Sequence, residues 1–257
     1  MKGVILAGGS GTRLKPFTNV INKHLLPVGK WPMICWPILK LKEAGIEDML
    51  IVTNEKDLPH FFKMIGNGKN DDVTIRYAVQ DGPFGIADAI KKAKDFTKDD
   101  PFIVLLGDNI FEMNLRSYLQ PFVKSGKDVQ LFLKEVKDPE RYGIAFLNRE
   151  KNRIVDLVEK PSSGRSNLCI TGIYLYKPSI YEILDEISPS PRGEYEITEA
   201  NKYFLKKGTI GFTFVKGFWI DAGTHESLLD ANVFIYNLMN GKVEKDAAES
   251  FGHPDKL

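Results

Sequence analysis

The strongest constraint on the fold is the spacing of apolar runs in the first half of the chain. Val4–Leu6, Asp48–Thr53 and Phe102–Leu106 are strand-like runs in which apolar residues follow one another with almost no polar alternation. Segments of helical length lie around them. Trp31–Ala44 carries Ile34, Ile38 and Leu41 on one face and is followed by Gly45, while Asp57–Ile65 stops at Gly66. Ile86–Phe96 places Ile86, Ala89, Ile90 and Ala93 together. Val73–Val79 alternates as a strand with one covered face does. Strands covered on both faces lose polar alternation, and strands separated by helices run parallel. Right-handed crossovers then lay helices on both sides. The expected class is α/β, with an open, doubly wound, mostly parallel sheet.

The texture changes after residue 125. Val129–Leu133, Gly143–Leu147, Arg153–Val158 and Cys169–Tyr176 are strand-like with short connections, which predicts a partly antiparallel section. Helices are expected at Ser179–Glu186, Glu196–Lys207 and Thr224–Met239, with strands at Thr209–Val215 and Phe218–Ile220. No Ser/Gly/Pro-rich linker or repeat interrupts the chain. One unit over 1–257 is expected, divided into parts at 1–125 and 126–240 with a tail at 241–257.

Composition removes several function classes. Lys and Arg total 35 against 34 Asp and Glu, a net charge of +1, and 43% of residues are hydrophobic. A chain this apolar and this neutral is not disordered, and nothing global draws it to nucleic acid or an anionic membrane. Its apolar runs fall well short of the ~20 residues of a membrane helix. The N-terminus lacks the pattern of a secretory signal. Cys35 and Cys169 make neither a disulfide framework nor a metal cluster. A cytoplasmic globular protein is expected, with no nucleic-acid or membrane partner.

The residues with chemistry cluster after strands. Leu6, Ala7, Gly8, Gly9, Ser10, Gly11, Thr12 and Arg13 follow the first strand directly. Ligands of open α/β sheets sit beyond the carboxyl ends of strands. Glycines there let the backbone approach and turn N–H groups toward anionic oxygens, and arginine offers a planar fork of donors. The pattern is neither a P-loop nor the dinucleotide fingerprint: Arg13 stands after Thr12, and Leu14 replaces the third glycine. A phosphate-binding loop is expected. Lys23, just ahead of an apolar turn, is a further phosphate contact. Asp108, with Asn109, ends the buried strand at Phe102–Leu106, where a carboxylate beside phosphates would hold Mg²⁺; such a pair also simply forms turns. Asp221 is a second carboxylate between a strand and a helix, and could equally cap that helix. Glu159 and Lys160 point to opposite faces if the strand continues, so both reach one ligand only if the chain bends at Pro161. No Ser-His-Asp or Cys-His arrangement is readable.

The motifs together resemble those of the sugar-nucleotide pyrophosphorylases. Leu6–Leu14, Lys23–Pro27, Leu106–Asn109, Asp138–Gly143, Glu159–Pro161, Thr171–Tyr174, Arg192–Thr198 and Asp221–His225 occur in that family's order. The resemblance implies a Rossmann-like nucleotidyltransferase fold. Its first part would bind a nucleoside triphosphate and its antiparallel section a sugar 1-phosphate. It implies Arg13, Lys23, Asp108 and Lys160 as catalytic residues, with Gln80 and Gly85 facing a pyrimidine. Asp108 and Asp221 would hold Mg²⁺. Asn109, Tyr142, Gly143, Glu159, Lys160, Ile170, Tyr174 and Arg192 would surround the sugar phosphate. The implied products are a nucleotide sugar and pyrophosphate, with dTTP and glucose 1-phosphate as substrates, or UTP or CTP as alternatives. A homo-oligomer, dimer or tetramer, is implied too. A non-catalytic nucleotide-sugar-binding subunit would be expected to lack some of these charged residues, and all are present. One departure bears on the base: Asp88 stands where the family often carries glutamine.

Overall fold

The computed structural model describes residues 1–69, 72–148, 150–162 and 166–240; the tail expected at 241–257 lies outside the described residues. The chain opens with β1 (Lys2–Leu6), the glycine loop and a small hairpin of β2 (Pro27–Val28) and β3 (Trp31–Pro32). There follow α1 (Cys35–Glu43), β4 (Asp48–Thr53), α2 (Leu58–Ile65), β5 (Thr74–Val79), α3 (Ile86–Lys91), α4 (Lys94–Thr97) and β6 (Phe102–Leu106). The second part holds β7 (Asn109–Phe111), α5 (Arg116–Lys124), β8 (Val129–Glu135), β9 (Gly143–Asn148), β10 (Arg153–Glu159) and β11 (Leu168–Tyr176). It closes with α6 (Ile180–Glu186), α7 (Ile197–Lys207), β12 (Ile210–Phe214), β13 (Trp219–Asp221) and α8 (His225–Met239).

One nine-stranded sheet takes strands from both parts, in the order β10-β9-β11-β6-β1-β4-β5, with β8 paired to β11 and β12. β6, β1, β4 and β5 are parallel. β11 runs antiparallel to β6 and β8, and β9 antiparallel to β10. Both faces are covered. Val4 and Leu6 pack with Ile90 of α3, Leu184 of α6 and Phe204 of α7. Ile5 packs with Ile38 of α1, Phe61 of α2 and Phe122 of α5. Each fully buried side chain of this kind contributes roughly 1.5–3 kcal/mol, and strand residues pointing both ways explain the unbroken apolar runs. α8 lays Ala231, Ile235 and Leu238 against Val28, Met33, Trp36 and Ala222. None of the helices is long and apolar enough to cross a membrane among the described residues.

Three local features differ from the sequence reading. The helix expected from Trp31 begins only at Cys35, because Trp31 and Pro32 pair back onto Pro27 and Val28. The helix expected over Ile86–Phe96 breaks into α3 and α4. α5 was not foreseen; Pro121 inside it removes a backbone donor and hides the helical pattern.

Candidate active site

The carboxyl ends of β1, β5 and β6 open into one cleft of about 320 Å³, walled on the far side by β9, β10, β11 and β13. The glycine loop leaves β1 at Leu6 and forms its floor. Gly8 makes room for a neighbour: a Cβ there would lie 2.9 Å from Gln80 Oε1. Gly11 takes a φ of +62°, which no residue adopts as readily as glycine. Lys23 stands on a 3-10 turn capped by the Asn22 side chain, whose Oδ1 accepts from the His24 N–H. Asn22 Nδ2 in turn donates to Asp57 Oδ2 at 2.7 Å, so the turn is anchored from below.

Two carboxylates 113 positions apart meet through pairing of short strands. β13 runs antiparallel to β7 with Asp221 opposite Asn109, and the Ala222 N–H donates to the Asp108 carbonyl at 2.9 Å. Lys23 Nζ donates to Asp108 Oδ2. Asp221 Oδ2 lies 3.6 Å from both Arg13 Nη2 and Arg141 Nη2, while its Oδ1 is buried with no hydrogen-bond partner. An unpartnered buried carboxylate oxygen beside a second carboxylate suits a hard cation. No group of three or more His, Cys, Asp or Glu gathers for a metal among the described residues, so further ligands would be substrate oxygens and water.

At the other end, Glu159 and Lys160 both face the cleft. The bend that this requires is present: Lys160 leaves β10 with a φ of +41°, a conformation disfavoured for a side-chain-bearing residue. Its N–H donates to the Tyr142 carbonyl at 2.9 Å. Glu159 Oε2 accepts from Thr198 Oγ1 at 2.6 Å.

The chain matches the model of one family, described as nucleotidyl transferase, over residues 2–237. It belongs to that nucleotidyl transferase family. It is 40% identical over 249 residues to the glucose-1-phosphate thymidylyltransferase of Neisseria meningitidis serogroup A, covering 93% of this chain and 84% of that one. The enzyme of the same name from Xanthomonas campestris pv. campestris is 41% identical over 91% of this chain and 80% of its own length. A solved Bacillus anthracis structure, described as a glucose-1-phosphate thymidylyltransferase in complex with a sucrose, superposes with a TM-score of 0.86 at 42% identity. It covers 91% of this chain and 94% of that chain. A UDP-glucose pyrophosphorylase complexed with UDP-glucose superposes at 0.81 with 28% identity, covering 92% of this chain and 98% of that one.

Within this nucleotidyl transferase chain, most residues expected at the site line the cleft: Leu6, Gly8, Gly9, Ser10, Arg13, Lys23, Gln80, Gly85, Asp108, Asn109, Tyr142, Gly143, Glu159, Lys160, Ile170, Tyr174 and Asp221. Four do not. Ala7 turns its methyl into the core with Ile5 and Leu25. Gly11 and Thr12 shape the turn instead: the Gly11 carbonyl accepts from Thr18 Oγ1 and the Thr12 carbonyl from the Lys15 N–H. Arg192 sits on the rim, where its Nη2 donates to Glu196 at 2.6 Å and to Glu159 at 3.4 Å, so it braces Glu159 from outside. Asn109 lines the cleft with its side chain engaged, its Oδ1 accepting from the Gly172 N–H and from Trp219 Nε1.

The charges act on one another. Burial works against charge on Lys23, but Asp108 and Asp221 outweigh it and hold its ammonium above the usual lysine range. Burial would raise Asp108, yet the charge of Lys23 outweighs it and keeps Asp108 well below the usual carboxylate range. Asp221 is pushed up to about 6, by burial first and then by the charge of Asp108. His24 is pushed down to about 3 by burial and by Lys23. His24 is therefore neutral near pH 7, with Nδ1 against Asn22 Oδ1. Because its folded value lies below 6.5, the stability that it contributes is complete above about pH 6.5 and is lost as pH falls toward 3. The slope approaches ~1.4 kcal/mol per pH unit below pH 6. Urea midpoints between pH 7 and 5 should fall less steeply in His24→Gln than in the parent chain.

Arg141 lines the cleft and was missed from the sequence. Its Nη1 donates to Asp138 Oδ2 at 2.5 Å and its guanidinium lies 5.3 Å from the Tyr142 ring centre. Nε and Nη2 are buried without a hydrogen-bond partner. Buried donors of this kind are left for a ligand to satisfy. The signal available was its i, i+3 spacing from Asp138 just ahead of Tyr142. Arg141→Ala should lower kcat/KM for transfer by about 100-fold, with Arg141→Lys recovering only part because a lysine cannot supply the fork. Steady-state kinetics on the two variants checks this.

Proposed function

We propose that the chain joins a nucleoside triphosphate to a sugar 1-phosphate and releases pyrophosphate, with dTTP and glucose 1-phosphate as the pair and dTDP-glucose as product. The supporting observation is the charge arrangement. Arg13, Lys23, Arg141 and Lys160 converge with Asp108 and Asp221 in one cleft, between a glycine loop and the Glu159–Thr198 pair. Four cations oppose the repulsion between two polyanionic substrates, and Glu159 offers carboxylate acceptors to sugar hydroxyls. The names of the relatives supply the thymidylyl and glucose parts of the reading.

The chemistry needs no protein nucleophile. An oxygen of the sugar phosphate forms a bond to the α-phosphorus while the bond from that phosphorus to the α–β bridging oxygen breaks, and the oxygen leaves with the electron pair as part of pyrophosphate. A phosphate dianion needs no general base, in keeping with the neutral, hydrogen-bonded His24. Positioning and charge neutralisation do the work. The glycine loop and Arg13 bind the triphosphate, Lys23 sits beside the reacting centre, and Lys160 takes the sugar phosphate. Asp108 and Asp221 would hold Mg²⁺, which supplies Lewis-acid neutralisation of triphosphate oxygens when bound. Pyrophosphate release should be assayed across dTTP, UTP, CTP, ATP and GTP, each crossed with several sugar 1-phosphates. Release with dTTP and glucose 1-phosphate is expected to exceed the others; no release with any pair would overturn the reading.

A further inference from the structure

Asp88 does not enter the cleft; it stands behind Gln80 in the first turn of α3. Gln80 Nε2 donates to Asp88 Oδ2 at 2.9 Å and to the Gly85 carbonyl at 3.1 Å. A carboxamide nitrogen carries two hydrogens, and here both are taken by groups that only accept. Turning the amide over would set Oε1 against those same two acceptors. Gln80 therefore shows the cleft a single polar atom, Oε1, and no described residue donates to it.

The position of that atom says what meets it. Oε1 rests over Gly8, while the next residue, Gly9, lies beside the Lys23 ammonium. The loop thus spans from a neutral wall, Gln80, Pro83, Gly85 and Ile86, to the charged centre. A ligand whose phosphates lie at the charged end places its flat, uncharged base at Gln80. An acceptor-only reader is satisfied by an N–H. Thymine and uracil present an N3–H flanked by carbonyls, whereas cytosine in the same seat presents the N3 lone pair. A site built around one hydrogen-bond sense rejects the opposite sense, because both groups are left unpaired.

We propose that Asp88 is a positioning residue that locks Gln80 as an acceptor and so makes the cleft selective for an imide pyrimidine nucleotide over a cytidine nucleotide. The inference rests on the nucleotidyl-transfer reading above. It accounts for an acid at this position without any contact between the acid and the base.

The test is calorimetric binding of dTTP and CTP, with magnesium, to the parent chain, Asp88→Ala and Asp88→Asn, with kcat and KM for dTTP in parallel. In Asp88→Ala the ratio of the CTP to the dTTP dissociation constant should fall about tenfold, with KM for dTTP rising and kcat changing less. Asp88→Asn keeps an oxygen that accepts from Nε2, and should stay within about threefold of the parent. An unchanged ratio in Asp88→Ala, including equal weakening of both nucleotides, would overturn the proposal, as would Asp88→Asn behaving like Asp88→Ala. Selective dTTP binding without pyrophosphate release would instead count against the transfer reading and leave the Asp88 assignment standing.

Discussion

Asp108→Asn is expected to lower kcat/KM for pyrophosphate release by about 10³-fold or more. The substitution is nearly isosteric at a buried position just after β6, so the fold should persist. What changes is charge. The carboxylate that accepts from Lys23 and from Asn109 Nδ2 is gone, and the pair that suits a hard cation is reduced to Asp221. Lys23 is affected as well. Its ammonium is held up against burial chiefly by Asp108, so without that partner burial gains and its value falls. Residual turnover should then decline at alkaline pH where the parent chain does not, and need far more magnesium for half-maximal rate. A magnesium titration and a pH profile on the variant check both statements. Turnover close to that of the parent would remove Asp108 from the reacting centre.

Lys23→Ala is expected to cost about 10²–10³-fold in kcat. It should also cost about 2 kcal/mol of stability, since Asp108 is left buried without its cation. The carboxyl, no longer opposed by Lys23, rises as burial dictates. Lys23→Arg should not restore the rate. Gly9 and Gly11 close around the lysine stem: a Cβ on Gly11 would sit 3.0 Å from Lys23 Cβ and one on Gly9 3.2 Å from Cε. A guanidinium is wider than an ammonium and cannot follow that stem. Chemical denaturation and steady-state kinetics on the two variants separate the stability loss from the rate loss. A Lys23→Arg variant with parental kcat would show that charge alone matters at this position.

Much of the fold was legible because burial on both faces leaves a mark on the sequence. β4 and β6 begin and end where their apolar runs do, and the parallel order follows from the helices between them. The glycine loop, Lys23 and Asp108 were legible for a related reason: each follows an apolar run or turn that sets its place at the mouth of the sheet. Features carried by very short pairings were not. β7 has three residues, too few to show a period; a strand is legible at Phe218–Ile220, but not the register of β13 against β7 that brings Asp221 beside Asp108. The left-handed turn at Lys160 has no glycine to announce it. Thr198 acquires its role only through a partner distant in sequence, Glu159, and Arg141 reaches the site by pairing with distant Asp221 as well as with nearby Asp138. Asp88 reads as an acid near the base from sequence and as a brace on Gln80 from geometry.

The central claim is that this cleft moves a nucleotidyl group directly between two anions. Tracing label from dTTP carrying ³²P at the α-position, in the presence of glucose 1-phosphate and magnesium, tests it most directly. The account predicts label in a nucleoside diphosphate sugar with one pyrophosphate released per label transferred, and no exchange of labelled pyrophosphate into dTTP when the sugar phosphate is left out. Label found only in the nucleoside monophosphate, or pyrophosphate exchange without any sugar phosphate, would contradict it.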